Sequence, residues 1–396
     1  MSVFEPQYRG RIADSVVVAL LFIIAGLAIS RLLYEGLFPR FLWLGRPLPV
    51  FLLAGAVAAA AWLGWHALYT RNPRRDRQQI LAASAVFSPL LLNLFYLFDP
   101  AVDLTTSRFL FAASLWLTAV FLARQLAAPR CWRWLGILFI WLALFPLYLF
   151  TMPDVAGRAD TFEFQVVIPQ MGIAHPTGYP LYLLLGRLFA ALPLGTVAWR
   201  INLASALFAT LAASLLYLAG RRLWKEPLAA LLAAVLFGLT PTLWSQAVEA
   251  EVYALHALFI AGSLWLMSVM LDHGARTDAC STPVFGWSPN SGWQRPVWLL
   301  ALLIGLGLTN HLTTIILIPA ALLAVLLAYG PCLRSQGWRA NGLLLLKVGL
   351  AFLLPLLLYA YLPLRWGVLH DEAMGLPLFV DWVIGSRFQG ALRLTA

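Results

Sequence analysis

Charge is scarce in this chain of 396 residues, because only 11% of them are charged whereas 62% are hydrophobic. Soluble domains carry about 25% charged residues, so the composition excludes an ordinary soluble protein. Apolar runs near or above the roughly 18 residues needed to cross a bilayer recur along the whole chain. The sequence therefore predicts an all-α polytopic membrane protein.

Lysine and cysteine are also scarce. Lys225 and Lys347 are the only lysines, so arginine supplies most of the net charge of +10. The arginines are scattered through short loops and form no stripe, which argues against nucleic acid as a partner and fits the positive-inside rule. Cys131, Cys280 and Cys332 form no CxxC or Cys/His cluster, and we expect free thiols in cytoplasmic loops.

The motifs of soluble enzymes are missing as well. The chain has no GxGxxG after a strand, no GxxxxGK[ST], no HExxH and no GxSxG. The basic loops between the apolar runs are too short for a nucleotide-binding domain. ATP-driven transport by this chain alone is therefore not expected.

The apolar runs predict about eleven transmembrane helices. Arginine-rich loops such as "RNPRRDR" alternate with loops that carry acidic residues, which places the N terminus in the cytoplasm of a multi-pass cell-membrane protein. The predicted spans are about 13–34, 48–69, 79–98, 107–126, 133–152, 199–219, 227–244, 250–271, 297–310, 312–330 and 343–363.

This alternation requires that residues 176–198 do not cross the membrane. The segment is apolar but short, carries Arg187 near its centre and is bracketed by prolines. We therefore predict a helix in the outer interface, inside one long external loop, 153–198. The domains expected are a four-helix membrane region, 1–130, and a larger module, 131–396.

Polar residues from five segments are predicted to meet at the outer face of the membrane. Each has a plain structural alternative, such as a solvated loop charge, an acid at a helix start or a snorkelling arginine. The coincidence on one face favours a functional site, because polar groups at membrane depth are costly. The candidates are Asp160, Glu163, His175, Tyr179, Glu249, Glu251, Asn310, His311 and Arg365.

Several motifs appear in a fixed order: "GRADTFE", "HPTGYPL", "RINL", "EAEVYALH", "GLGLTNHLT" and "YLPLRWG". Together they resemble the family known as domain of unknown function 2723, which includes eukaryotic transmembrane protein O-mannosyltransferases and many bacterial membrane proteins. The resemblance covers about 133–396. Thr177 stands where that family usually has a second proline, and "GRADTFE" is looser than its "GDSGE" stretch.

The resemblance implies a glycosyltransferase of the GT-C superfamily, with a seven-helix module preceded here by four extra helices. Such enzymes take a sugar from a polyprenyl-phosphate donor and work on the extracytoplasmic side, with a catalytic acid in the first large external loop. The implied acceptor is a protein hydroxyl, a glycan or a lipid, and the transfer is expected to be inverting.

An inverting transfer needs a base for the acceptor proton and positive charge for the leaving phosphate. We assign the base to Asp160, with Glu163 as first alternate and Asp154 as a more distant one, and the lipid phosphate to Arg365. His175, Tyr179, Asn310 and His311 are expected to shape the site or to orient donor or acceptor. Glu249 and Glu251 could position the acceptor or bind a divalent metal, but no metal or other cofactor is assigned.

The main alternative is a transporter or flippase of lipid-linked sugars, which would use the same polar groups as a gated path. Transporters often contain inverted repeats and symmetrically placed broken helices. The chain shows no internal repeat, and its polar groups collect at one face instead of at the midplane. These features favour the enzyme.

Overall fold

The computed structural model describes residues 6–69, 84–97, 103–282, 284 and 292–386, and within them it contains helices and no strand. This confirms the predicted all-α class. Contacts divide the chain into two compact units, Met1–Cys131 and Trp132–Ala396. The assignment of the second unit to a GT-C-like module stays a prediction.

The first unit consists of helices whose apolar composition suits a membrane. The first two helices pack closely where Gly26 lies against Ala54. A Cβ atom added to Gly26 would lie 2.6 Å from the Cα atom of Ala54, so a larger residue would not fit there. The predicted span 79–98 begins outside the described residues, and its described part is a 3-10 helix, Ala85–Leu92, followed by one helical turn. The α-helices are α1 (Pro6–Leu32), α2 (Pro47–Tyr69), α3 (Asn93–Leu97) and α4 (Leu104–Leu126).

The second unit contains the remaining helices. Its interior is formed by α8 and α11, whose apolar windows are 67% and 61% buried. Alanine, serine and glycine line the buried face of α8, and such small residues let membrane helices approach closely. The helices are α5 (Trp132–Thr151), α6 (Ala159–Gln170), α7 (Pro180–Ala190), α8 (Val197–Trp224), α9 (Pro227–Leu239), α10 (Pro241–Val248), α11 (Val252–Gly274), α12 (Gln294–Leu308), α13 (Leu317–Ser335), α14 (Trp338–Leu353), α15 (Tyr361–His370) and α16 (Leu376–Ile384).

The described residues contain fewer membrane-length helices than the eleven predicted, and one predicted span, 79–98, lies partly outside them. Among the described residues, eight helices are long and apolar enough to cross a bilayer, and the bent pair α9–α10 would make a ninth. The predicted span 227–244 is broken by 63°. Thr240 caps α10 through its hydroxyl and Pro241 begins it, so the backbone restarts as a new helix. The predicted span 297–310 is the 15-residue helix α12.

The segment 153–198, predicted as one external loop, is largely helical. It contains α6, which carries both proposed catalytic acids, and α7. Asp160 lies in the first turn of α6, where the helix dipole favours a negative charge. The helix predicted within 176–198 is confirmed as α7, and its position at the membrane interface stays a prediction.

The prediction of three free thiols is wrong for two of them. Cys280 and Cys332 form a disulfide with a Cα–Cα distance of 5.3 Å, although 52 residues separate them in sequence. Spacing in the sequence could not indicate this pair, because the two cysteines meet only when α13 packs beside the end of α11. Cys131 is free and exposed.

We predict that alkylation of the unreduced, purified protein labels Cys131 alone, because the other two sulfur atoms are bonded to each other. Peptide mapping by mass spectrometry should recover a linked Cys280–Cys332 peptide that disappears on reduction. Labelling of all three thiols without reductant would instead restore the prediction made from the sequence.

Candidate functional site

The segment "GIAHPTGYP", 172–180, forms a corner between α6 and α7, and its backbone is held from the C-terminal helices. The Arg365 guanidinium donates to the carbonyl of Met171 at 2.5 Å, and the Tyr361 hydroxyl donates to that of Gly172 at 2.6 Å. The indole of Trp382 donates to the carbonyl of Ala174 at 3.2 Å. Three side chains from α15 and α16 therefore fix the path of the corner.

Gly178 is needed where the corner turns back. Its φ is +80°, and a Cβ atom there would lie 2.6 Å from the side chain of Leu362. A larger residue would face both backbone strain and a clash. The close approach to α15 therefore explains the second glycine of the motif.

Glu163 and His175 form the link between α6 and the corner. One carboxylate oxygen of Glu163 lies 2.5 Å from Nδ1 of His175, and the other accepts the backbone N–H of His175 at 2.8 Å. Nε2 of His175 lies 3.1 Å from the hydroxyl of Tyr179. Both ring nitrogens and both carboxylate oxygens are thus engaged, and the imidazole is held in one orientation.

The same pair controls its own ionisation. The Glu163 carboxylate raises the pKa of His175, against the effect of burial. Burial opposes the charge on Glu163, but the hydrogen bonds from His175 prevail and lower the pKa of Glu163. The geometry therefore favours a carboxylate beside an imidazolium.

Asp160 lies one helical turn before Glu163 and is exposed. Among the described residues its carboxylate has no hydrogen-bond donor, so it is open to an incoming group. Ligand atoms of Asp160, Glu163 and His175 all lie within 4.8 Å of one another. This set has the donor chemistry for a divalent cation, but Glu163 and His175 already satisfy each other, and a metal stays a prediction.

Two further carboxylates approach from the junction of α10 and α11. The buried hydroxyl of Thr161 lies 3.3 Å from Glu249 and 3.1 Å from Glu251. Burial raises the pKa of Glu251 to about 7. The charges of Asp160 and Glu249 also raise this pKa, whereas the hydrogen bond from Thr161 lowers it. Glu251 is therefore a carboxyl group that exchanges its proton near neutral pH.

An aromatic group continues the site beyond Glu251. The rings of Tyr253 and His311 are 5.4 Å apart, and those of His256 and His311 are 4.9 Å apart. The hydroxyl of Thr313 bridges the two histidines, at 2.7 Å from Nδ1 of His311 and 3.0 Å from Nε2 of His256. Tyr253 is 48% exposed, so this group offers an accessible ring beside the carboxylates.

Two of the predicted site residues occupy structural positions. Asn310 is fully buried and donates to the carbonyl of Val252 at 3.1 Å, which ties the start of α11 to the end of α12. Arg365 holds the C-terminal end of α6, and Asp160 lies about 15 Å away at the other end of that helix, at 1.5 Å per residue. Tyr179 and Glu249 belong to the cluster around Glu163 and Glu251, whereas His311 lies beside Tyr253 and His256.

Sequence reasoning did not single out Thr161 or the amide network behind it. Gln165 donates to Asn202 at 3.0 Å, and Asn202 donates to the carbonyl of Pro153 at 3.1 Å. This network anchors α6 on α8. Asn202 belongs to the motif "RINL", which could have drawn attention to it. The sequence distinguishes Thr161 only by its position between Asp160 and Glu163.

These observations define a polytopic membrane protein with a carboxylate-rich site built from separate segments. A family model described as the Protein O-mannosyl-transferase TMEM260 N-terminal domain matches residues 160–330, which begin at Asp160. This match supports similarity to O-mannosyltransferase-like proteins over that region. Relation to the GT-C superfamily stays a prediction.

Curated relatives also match part of the chain. Protein O-mannosyl-transferase TMEM260 of Mus musculus is 30% identical over 230 residues, which are 58% of this chain and 30% of the mouse protein. Protein O-mannosyl-transferase tmem260 of Dictyostelium discoideum is 31% identical over 177 residues, 43% of this chain and 20% of that protein. The chain thus spans less than a third of the length of either relative. No solved structure matches it significantly.

We predict that Thr161→Val lowers the free energy of unfolding by about 1–3 kcal/mol, because Glu249 and Glu251 lose a buried donor. Thermal or denaturant unfolding of the purified protein measures the change. Thr210→Val is the matched control, since the buried Thr210 hydroxyl bonds only the Ala206 carbonyl of its own helix. If Thr161→Val were as stable as wild type, the Thr161 hydroxyl would not be needed to bridge Glu249 and Glu251.

The raised pKa of Glu251 predicts a pH-dependent stability. The folded state keeps this proton up to about pH 7, whereas the unfolded chain releases it near 4.5, so stability falls as pH rises between these values. Glu251→Gln should remove this decline and give a higher melting temperature than wild type above pH 7. Below about pH 4.5 the two proteins should differ little, and a constant difference across the range would contradict the assignment.

Proposed function

We propose that the chain is an integral-membrane glycosyltransferase that moves mannose from a polyprenyl-phosphate donor to the hydroxyl of a protein acceptor. The observation that carries the proposal is the meeting of Asp160, Glu163, His175 and Glu251 at one site. The names of the similar proteins favour mannose as the sugar and protein as the acceptor.

The proposed reaction begins with the acceptor. Asp160 removes the proton of the acceptor hydroxyl, and the oxygen attacks the anomeric carbon of the sugar. The new carbon–oxygen bond forms as the bond to the lipid phosphate breaks, the phosphate leaves with the electron pair, and the configuration inverts. Asp160 suits the role of base because its carboxylate has no hydrogen-bond donor among the described residues.

Glu163 has a different role in this proposal. Both of its oxygens are bound to His175, so it is a positioning residue that keeps the imidazole charged and oriented. An imidazolium near Asp160 offers positive charge to the departing phosphate. Glu251, with its pKa near 7, can receive or return a proton within the same cluster.

Arg365 remains our proposed contact for the lipid phosphate, with an added structural role. Its guanidinium already donates to carbonyl groups of Gln170 and Met171. Arginine has five donors, so donors remain for an anion beside the corner. Removing Arg365 should therefore affect both donor affinity and the placement of His175.

A transporter or flippase remains the second candidate because of one observation. Helix α10, which follows the 63° bend, ends at Val248, directly before Glu249. Broken helices that end at a polar site are typical of transporters. A glycosyltransferase would produce a glycosylated acceptor. A transporter or flippase would instead move the intact donor across a vesicle membrane.

We predict that Asp160→Asn reduces sugar transfer from a polyprenyl-phosphate mannose donor at least about 100-fold, because the base is lost. The assay follows donor consumption and acceptor labelling by the purified variant. Asp154→Asn is the matched control, since Asp154 precedes α6 and its side chain has no hydrogen bond among the described residues. Wild-type turnover by a folded Asp160→Asn variant would refute the assignment of Asp160.

A further inference from the structure

A cavity lined by two basic residues lies between α12 and α14. Its volume is about 400 Å³, and its lining consists of Gln294, Arg295, Trp298, Lys347 and Leu350. Neither Arg295 nor Lys347 forms a hydrogen bond or an ion pair with another described residue. Two uncompensated cations and an indole therefore share one cavity.

The position of Lys347 is unusual. It is the only charged residue between Arg339 and Arg365, and it lies inside the membrane-length segment Trp338–His370. Its neighbours in "LLLLKVGLAFLL" are apolar, and Leu346 and Leu350 are each 57% exposed. A lysine in such a segment costs free energy unless an anion or water compensates it.

The cavity is separate from the candidate active site. Arg295 precedes Asn310 by 15 residues along α12 and the turn that follows it, and Lys347 precedes Tyr361 by 14 residues along α14 and its continuation. At 1.5 Å per residue both separations are about 20 Å. The cavity thus lies toward the opposite end of these helices from the carboxylate cluster.

We propose that this cavity binds the phosphate headgroup of an anionic membrane phospholipid. Arg295 and Lys347 pair with the phosphate, the Trp298 indole lies at the headgroup level, and the acyl chains follow the exposed leucines of α14. Basic pockets between transmembrane helices are suited to such headgroups, and tryptophan is common at the membrane interface. The apolar flanks of Lys347 favour a lipid over a free phosphate ion.

The test uses the full chain, purified in a neutral detergent, with phosphatidylglycerol or phosphatidylcholine added. Native mass spectrometry counts bound lipid, and thermal unfolding reports stabilisation. Wild type should retain phosphatidylglycerol and gain melting temperature, whereas phosphatidylcholine should do neither. Arg295→Gln and Lys347→Gln should each lower phosphatidylglycerol affinity about fivefold.

Two further variants sharpen the test. Lys225→Gln removes the other lysine, which is exposed and outside the cavity, and should bind phosphatidylglycerol like wild type. Lys347→Arg keeps the charge and should also retain binding. If Lys347→Gln does not fold, Arg295→Gln, in the first turn of α12, carries the same prediction.

Three outcomes would overturn the proposal. The first is undiminished phosphatidylglycerol binding by Arg295→Gln or by the variant that combines Arg295→Gln with Lys347→Gln. The second is equal loss of binding in Lys225→Gln, which would indicate a general effect of net charge. The third is full stabilisation by inorganic phosphate without lipid, which would indicate a free anion as the ligand.

Discussion

The interaction on which the candidate site depends is the pair formed by Glu163 and His175. It joins the middle of α6 to the corner that follows it, through two contacts of 2.5 and 2.8 Å. Side chains of α15 and α16 also hold the corner, through Arg365, Tyr361 and Trp382. With Glu163 and His175 paired, the first turn of α6, the corner and the C-terminal helices form one connected structure. The exposed carboxylate of Asp160 is thereby placed beside an oriented imidazole.

The second constraint is electrostatic. Asp160, Glu249 and Glu251 bring negative charge to one place, and the described site opposes it with His175 and the Thr161 hydroxyl. Glu251 responds by keeping its proton to about pH 7. A site with excess carboxylate and a shared proton suits acid–base chemistry, and it also suits the binding of a cation. The cavity that contains Arg295 and Lys347 has the opposite charge, and it lies about 20 Å along the chain from Asn310 and Tyr361.

Much of the site could be predicted from sequence because polar residues are rare in an apolar chain. Asp160, Glu163, His175, Tyr179 and Glu251 stood out for that reason, and the structure brings them together. Two other residues that stood out in the same way, Asn310 and Arg365, bond to backbone carbonyls. Composition identifies a polar residue that needs a partner, but it does not distinguish a backbone carbonyl from a substrate.

The sequence by itself determined the class of protein, since its hydrophobic content and apolar runs leave few alternatives to a helical bundle in a membrane. It also determined which segments carry the polar groups. Tertiary structure alone decided that α6 is a helix within the supposed loop, that the predicted span 227–244 bends at Thr240, and that Cys280 meets Cys332. The physical reason is the same in each case. The apolar pattern of a segment indicates whether that segment is exposed to water, lipid or protein. Bends, disulfides and hydrogen-bond partners depend on residues that are distant in the chain.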